Sequence, residues 1–187
     1  ILSLTPDHQG TPYLDGIWSY VFGSAYLAKG DIDSAIRELD KLKELVNSPD
    51  VDKYRVGATP ASAVLRVAAF GLEGEVLMAT GDLSGAIKAF KSGVAIEDLN
   101  NYTEPPDWAQ PMRHYLGAAL LEFNQPERAE VVYRRDLKWN QNNGWSLFGL
   151  YQSLSAQEKE KEAQEVYESW KQAWDSADIK LTSSYVK

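Results

Sequence analysis

Along residues 16–29, aromatic and aliphatic side chains fall at helical spacing, with Phe22, Gly23 and Tyr26 on one seam, and the pattern predicts a helix. It resumes at Ala35, Ile36, Leu39, Leu42, Leu45 and Val46, three or four residues apart. Asn47-Ser48-Pro49-Asp50 stops this second helix. The hinge between the two, Gly30-Asp31-Ile32-Asp33-Ser34-Ala35-Ile36, returns as Gly81-Asp82-Leu83-Ser84-Gly85-Ala86-Ile87. Gly ends one helix, Asp opens the turn, and Ala-Ile starts the apolar face of a helix packed too close for a large side chain. The fold expected is all-α: a right-handed α-solenoid of about four degenerate helix pairs.

The later pairs are read from the same landmarks. The second carries Phe70, Gly74, Leu77, Gly81, Ala86 and Phe90, and the third Leu116, Gly117, Leu120, Ala129 and Tyr133. In the third, Asn124 takes the hinge place of Gly. The fourth has Trp145, Phe148 and Gly149, then a helix from about Glu160 to Trp174. Ala163 follows Gly149 by 14 residues where Ala129 follows Gly117 by 12, so the last hinge is expected to be about two residues longer. Glycines 23, 74, 117 and 149 are 51, 43 and 32 residues apart. The excess falls in two inserts, 48–60 and 98–107, rich in Pro, Asn, Asp and Gly and read as loops. The charged helix near the C-terminus offers Val166, Tyr167, Trp170 and Trp174 inward and reads as a polar cap. Residues 1–15 are expected to be an N-terminal extension or the cut edge of upstream repeats, 16–175 the repeat domain, and 176–187 a C-terminal tail.

Phe22, Gly23, Tyr26, Gly30 and Ala35 resemble the tetratricopeptide repeat, a helix-turn-helix of about 34 residues. Ser19 and Asn47 stand where that pattern has Trp and Pro, and Glu73 where it has Leu. The stretch Glu104-Pro105-Pro106-Asp107-Trp108, with Leu116-Gly117-Ala118-Ala119-Leu120-Leu121, Val132-Tyr133-Arg134-Arg135-Asp136-Leu137 and Gly144-Trp145-Ser146-Leu147-Phe148-Gly149, is similar to the C-terminal part of large, functionally uncharacterised bacterial tetratricopeptide-repeat proteins. That resemblance implies a fragment of a longer chain, an export signal and His-rich repeats upstream, and no established activity. It leaves the compartment, cytoplasm or periplasm, unassigned.

Composition narrows the function classes. A net charge of -8 argues against a phosphate-backbone ligand, so no nucleic acid is expected. With no Cys, disulfides, thiolate metal sites and Cys nucleophiles are excluded. The most apolar run, 61–70, contains Arg66 and is too short to span a bilayer, so no membrane insertion is expected. There is no phosphate loop, no G-x-S-x-G and no H-E-x-x-H. Neither catalytic residues nor a cofactor is expected.

Of the two histidines, His8 reads as exposed and His114 as groove-facing. The segment 104–114 admits three readings: a stiff loop and helix start capped by Asp107 and anchored by Trp108, a ligand site of Glu104, Arg113 and His114, or a metal site. The first is favoured, since one His with scattered carboxylates falls short of a metal's ligand count. Tyr20 is better placed for a groove than Trp18 or Tyr26, which read as core. First-helix positions should line the concave face: Tyr20, Ser24, Glu75, Met78, His114 and Leu121 are the expected partner contacts. The Lys, Asn and Arg set that clamps a chaperone's C-terminal carboxylate is missing from them. The leading expectation is a non-catalytic scaffold that binds a protein or peptide. The alternative is a capping segment of a longer protein that packs on upstream repeats or self-associates.

Overall fold

The computed structural model describes residues 1–3, 10–100 and 103–185; His8 and Leu4 lie outside the described residues. Two compact units divide the chain between Met112 and Arg113. The first contains α1 (Pro12–Ala28), α2 (Ile32–Val46), α3 (Ala61–Ala79) and α4 (Leu83–Glu97). The second contains nearly all of α5 (Met112–Glu122), with α6 (Pro126–Asp136), α7 (Gly144–Ala156) and α8 (Glu160–Ala173). A short 3-10 turn and a two-residue antiparallel ladder, β1 (Arg55–Val56) with β2 (Thr59–Pro60), occupy the first insert.

The helices come in pairs joined by one kind of turn. Each pair is separated by three residues, of which the middle one is left-handed: Gly30 at φ 75°, Gly81 at 85°, Asn124 at 54° and Glu158 at 59°. The residue after it donates its N–H back across the turn to the carbonyl of Tyr26, Leu77, Leu120 or Leu154. This closes the orphan carbonyls of a helix end and needs positive φ, which Gly supplies without steric cost. Asp31 and Asp82 then cap the second helix by accepting from Ser34 N and Gly85 N, at 3.1 and 2.8 Å. The fourth hinge is no longer than the others. Its two extra residues lengthen α7, because left-handed Glu158 stands five residues before Ala163 just as Asn124 stands five before Ala129.

Close approach fixes the pairs. In the first unit the Phe90 ring of α4 packs on Gly74 of α3, where a Cβ would fall 2.2 Å from it. A core of Ala35, Leu39, Leu42, Leu65, Leu72 and neighbours is closed by Tyr20, Tyr26 and Trp108. In the second unit Tyr133 of α6 occupies the equivalent place, and the ring pairs Phe148–Trp170 and Tyr151–Tyr167 join α7 to α8 at 5.2 and 5.1 Å. Helix α1 begins at Pro12, four residues earlier than the sequence pattern marks, since Pro is well tolerated in a first turn. Asp107 does not cap α5: it accepts from Thr59 and, at 3.0 Å, from Thr103, tying the second insert to β2. The N–H of Met112 at the start of α5 is met by the Glu97 carboxylate at 3.1 Å.

Candidate functional site

In the first unit the periodicity brings two expected contacts together. The Ser24 hydroxyl on α1 donates to Glu75 Oε2 on α3 at 3.3 Å. Burial pushes the Glu75 carboxyl up to about 7, and the Ser24 bond offsets only part of that. A half-buried acid that is partly neutral near pH 7 is an unusual lining for a face otherwise made of Tyr20 and Met78, both partly buried. Tyr20 meets Trp108 edge to face at 4.9 Å, which steadies both rings. Beside this, Val46, Ala69 and Phe70 wall a cavity of about 230 Å³ rimmed by Arg66 and the Lys43–Glu73 ion pair at 2.9 Å.

The second unit places His114 differently from the expectation. Its side chain is 1% exposed, facing Asp136 rather than a groove. Asp136 follows α6's last apolar turn, so a polar cluster closes under α5: Ser146 Oγ donates to Asp136 Oδ2 at 2.6 Å and Asn140 Nδ2 to Oδ1 at 2.9 Å. Burial raises the Asp136 carboxyl, and the contacts with His114, Ser146 and Asn140 outweigh it, so the group stays below its ordinary range. His114 Nε2 lies 3.4 Å from Asp136 Oδ2 without hydrogen-bond alignment, and neither imidazole nitrogen has a hydrogen-bond partner among the described residues. Ser, Asp and His therefore meet in an order unsuited to nucleophilic catalysis: the serine proton goes to the carboxylate, and no base faces the serine. All three are buried from substrate.

Glu104 is exposed in the first unit, while Arg113 is buried in the second. Among the described residues no group of three or more His, Cys, Asp or Glu is placed to hold a metal ion.

A contact that the sequence pattern does not mark lies on α5 and α7. The irregular, bent segment 181–185 packs there, burying Leu181, Ser184 and Tyr185. Tyr185 meets the ring of Tyr115 at 4.9 Å. The Ser184 hydroxyl donates to the His114 carbonyl at 2.8 Å and shares a 2.7 Å bond with the Tyr133 hydroxyl. The Gln152 side-chain amide donates through Nε2 to the Thr182 carbonyl at 3.3 Å. Leu121, an expected partner contact, lines a cavity of about 300 Å³ alongside Ala118, Glu122, Gln152, Thr182 and Ser183. Trp174 aims the segment: its ring rests on Gly144 and its Nε1–H donates to the Ile179 carbonyl at 2.9 Å. The available signal in the sequence is slight, a Tyr at 133 where the first unit has Phe90, and Leu181 and Tyr185 spaced within a polar stretch.

No helix among the described residues is long and apolar enough to cross a membrane. No family model matches the chain, and no curated protein matches it. Among solved structures it is similar to the MamA protein, a tetratricopeptide-repeat protein, at 15% identity and a TM-score of 0.50, over 90% of this chain and 98% of that one. The likeness, with the four left-handed hinges, shows an all-α helical-repeat fold of the tetratricopeptide type.

Proposed function

We propose that the chain is a non-catalytic interaction domain whose first-helix faces hold a peptide segment or a neighbouring domain. The observation that carries this reading is the seat on α5 and α7, where positions 114, 115, 118 and 121 already touch or border an irregular peptide segment instead of another helix. Helical-repeat folds commonly serve as such scaffolds, and the fold here supports protein partners in general terms. In the first unit, Tyr20, Ser24, Glu75 and Met78 form the corresponding surface. His114 contributes its backbone carbonyl and its packing; its buried imidazole supports the face from behind.

The test is affinity capture with chemical cross-linking, comparing the full chain with a Met78→Glu/Leu121→Glu variant. We expect cross-linked partners on the parent and their loss on the variant, with far-UV circular dichroism unchanged. Equal capture by both would refute binding through these faces. A second reading, a capping segment of a longer array, is favoured by α8, whose Glu160, Lys161, Glu162, Gln164, Glu165 and Glu168 are all exposed.

A further inference from the structure

We propose that segment 181–185 is a built-in occupant of a peptide site, and that the ligand of the second unit is a bent peptide bearing Ser-Tyr with an aliphatic residue three positions before the serine. This rests on the interaction-domain reading above and specifies its ligand. Three features make the seat a recognition site rather than a place where a tail happens to lie.

The first is a hydroxyl receptor. Tyr133 projects from α6 between Gly117 of α5 and Gly149 of α7; a Cβ on either would fall 2.3 or 2.2 Å from its ring. The two glycines let a fully buried ring pass between the first helices, so that its hydroxyl reaches Ser184. Phe90, at the equivalent place in the first unit, has the same ring and no hydroxyl. Burial pushes the Tyr133 phenol up, so it remains a donor throughout the physiological range. A donor at this depth requires a partner, and a Ser side chain passes the bond on to the His114 carbonyl.

The second is a pair of anchors. Leu181 and Tyr185 are 7% and 6% exposed, the Tyr against Tyr115. Anchors that bury side chains around a central hydrogen bond give a short peptide both affinity and register.

The third is incomplete filling. An open hollow of about 300 Å³ is left beside exposed Thr182 and half-buried Ser183, with Ala118 and Leu121 as its apolar lining and Glu122 and Gln152 as its polar lining. A ligand with a larger apolar residue at the place of Thr182 or Ser183 would bury more surface than the chain's own segment does. Such a ligand can displace a tethered competitor, whose effective concentration is in the millimolar range.

The probe is a fluorescent synthetic peptide of residues 178–187, alone or with Thr182→Leu. It is titrated by anisotropy into the full chain and into the full-length variant Leu181→Asp/Tyr185→Ala, whose own segment no longer seats. The variant should bind the peptide about ten-fold more tightly than the parent, because the tethered competitor is gone. The Leu-bearing peptide should bind more tightly still, and Tyr133→Phe added to the variant should weaken binding about five-fold. A helical variant that binds no more tightly than the parent overturns the proposal.

Should the variant lose its helical signal, hydrogen exchange on the parent chain decides. The Leu-bearing peptide, distinguishable by mass, must raise exchange at amides 181–185 while α5 and α7 stay protected. Unchanged exchange at saturating peptide overturns the proposal. Partner capture that persists while the peptide fails to bind leaves the interaction-domain reading intact; loss of both removes that reading as well.

Discussion

At the scale of single residues, Glu75 is the group whose environment most alters its chemistry. A carboxyl held up to about 7 in the folded chain, against 4.5 ordinarily, keeps a proton that the unfolded chain releases. Its contribution to stability is therefore fully present below about pH 4.5, falls as pH rises to about 7, and is flat above. Glu75→Gln keeps the shape and the Ser24 contact but removes the charge. We predict that the variant is more stable than the parent at pH 8 by on the order of 2 kcal/mol. At pH 4 the difference should nearly vanish. Urea melts at the two pH values measure this; an equal or lower midpoint for Glu75→Gln at pH 8 would show that the carboxylate is well solvated. Glu130 behaves oppositely. Desolvation pushes it up, but Lys159, Arg134 and Gln157 donate to it and bring it down to about 2, so its contribution is fully present above about pH 4.5 and is lost as pH falls from there to about 2.

The elements were the most legible scale. Gly30, Gly81 and Asn124 marked three hinges, because a left-handed residue is a backbone demand that side-chain chemistry reveals. Glu158 conceals the fourth, being a residue type that gives no such sign, so the spacing points to a longer turn where the two additional residues in fact extend α7. A Cβ at that φ costs about 1 kcal/mol, so Glu158→Gly should stabilise the chain by about 0.5–1 kcal/mol, read as a higher melting temperature. Helix contact gives the converse case. Gly149→Ala would drive a methyl into the Tyr133 ring, which Gly117 confines from its other side. We expect a loss of about 2–3 kcal/mol in thermal or urea unfolding. A cost below about 0.5 kcal/mol would mean that the ring can move aside. The buried cluster under α5 was not legible, since Asp136 and Ser146 carry no periodic signal and His114 sits where repeat geometry alone points outward. The imidazole packs beside the buried Asp136 carboxylate, a polar contact that apolar spacing does not encode.

At the scale of the whole molecule, charge bears on how the chain meets others. A net charge of -8 makes copies repel one another at low ionic strength. The outer face of α8 adds exposed charge, with Arg134 linking Glu130 and Glu162 at 2.7 and 2.6 Å. Such a surface lacks the apolar centre that stable self-association requires. The interaction-domain reading accordingly predicts a single species of 20.9 kDa by light scattering over a hundred-fold range of concentration. Screening should then decide the remaining question. If association appears only at high salt, apolar positions such as exposed Val131 and Trp139 are pairing once repulsion is removed, and their replacement by Ser should abolish it. A mass that rises with concentration at low salt, against that repulsion, would instead make self-association the chain's own function and favour the capping alternative over a peptide-binding scaffold.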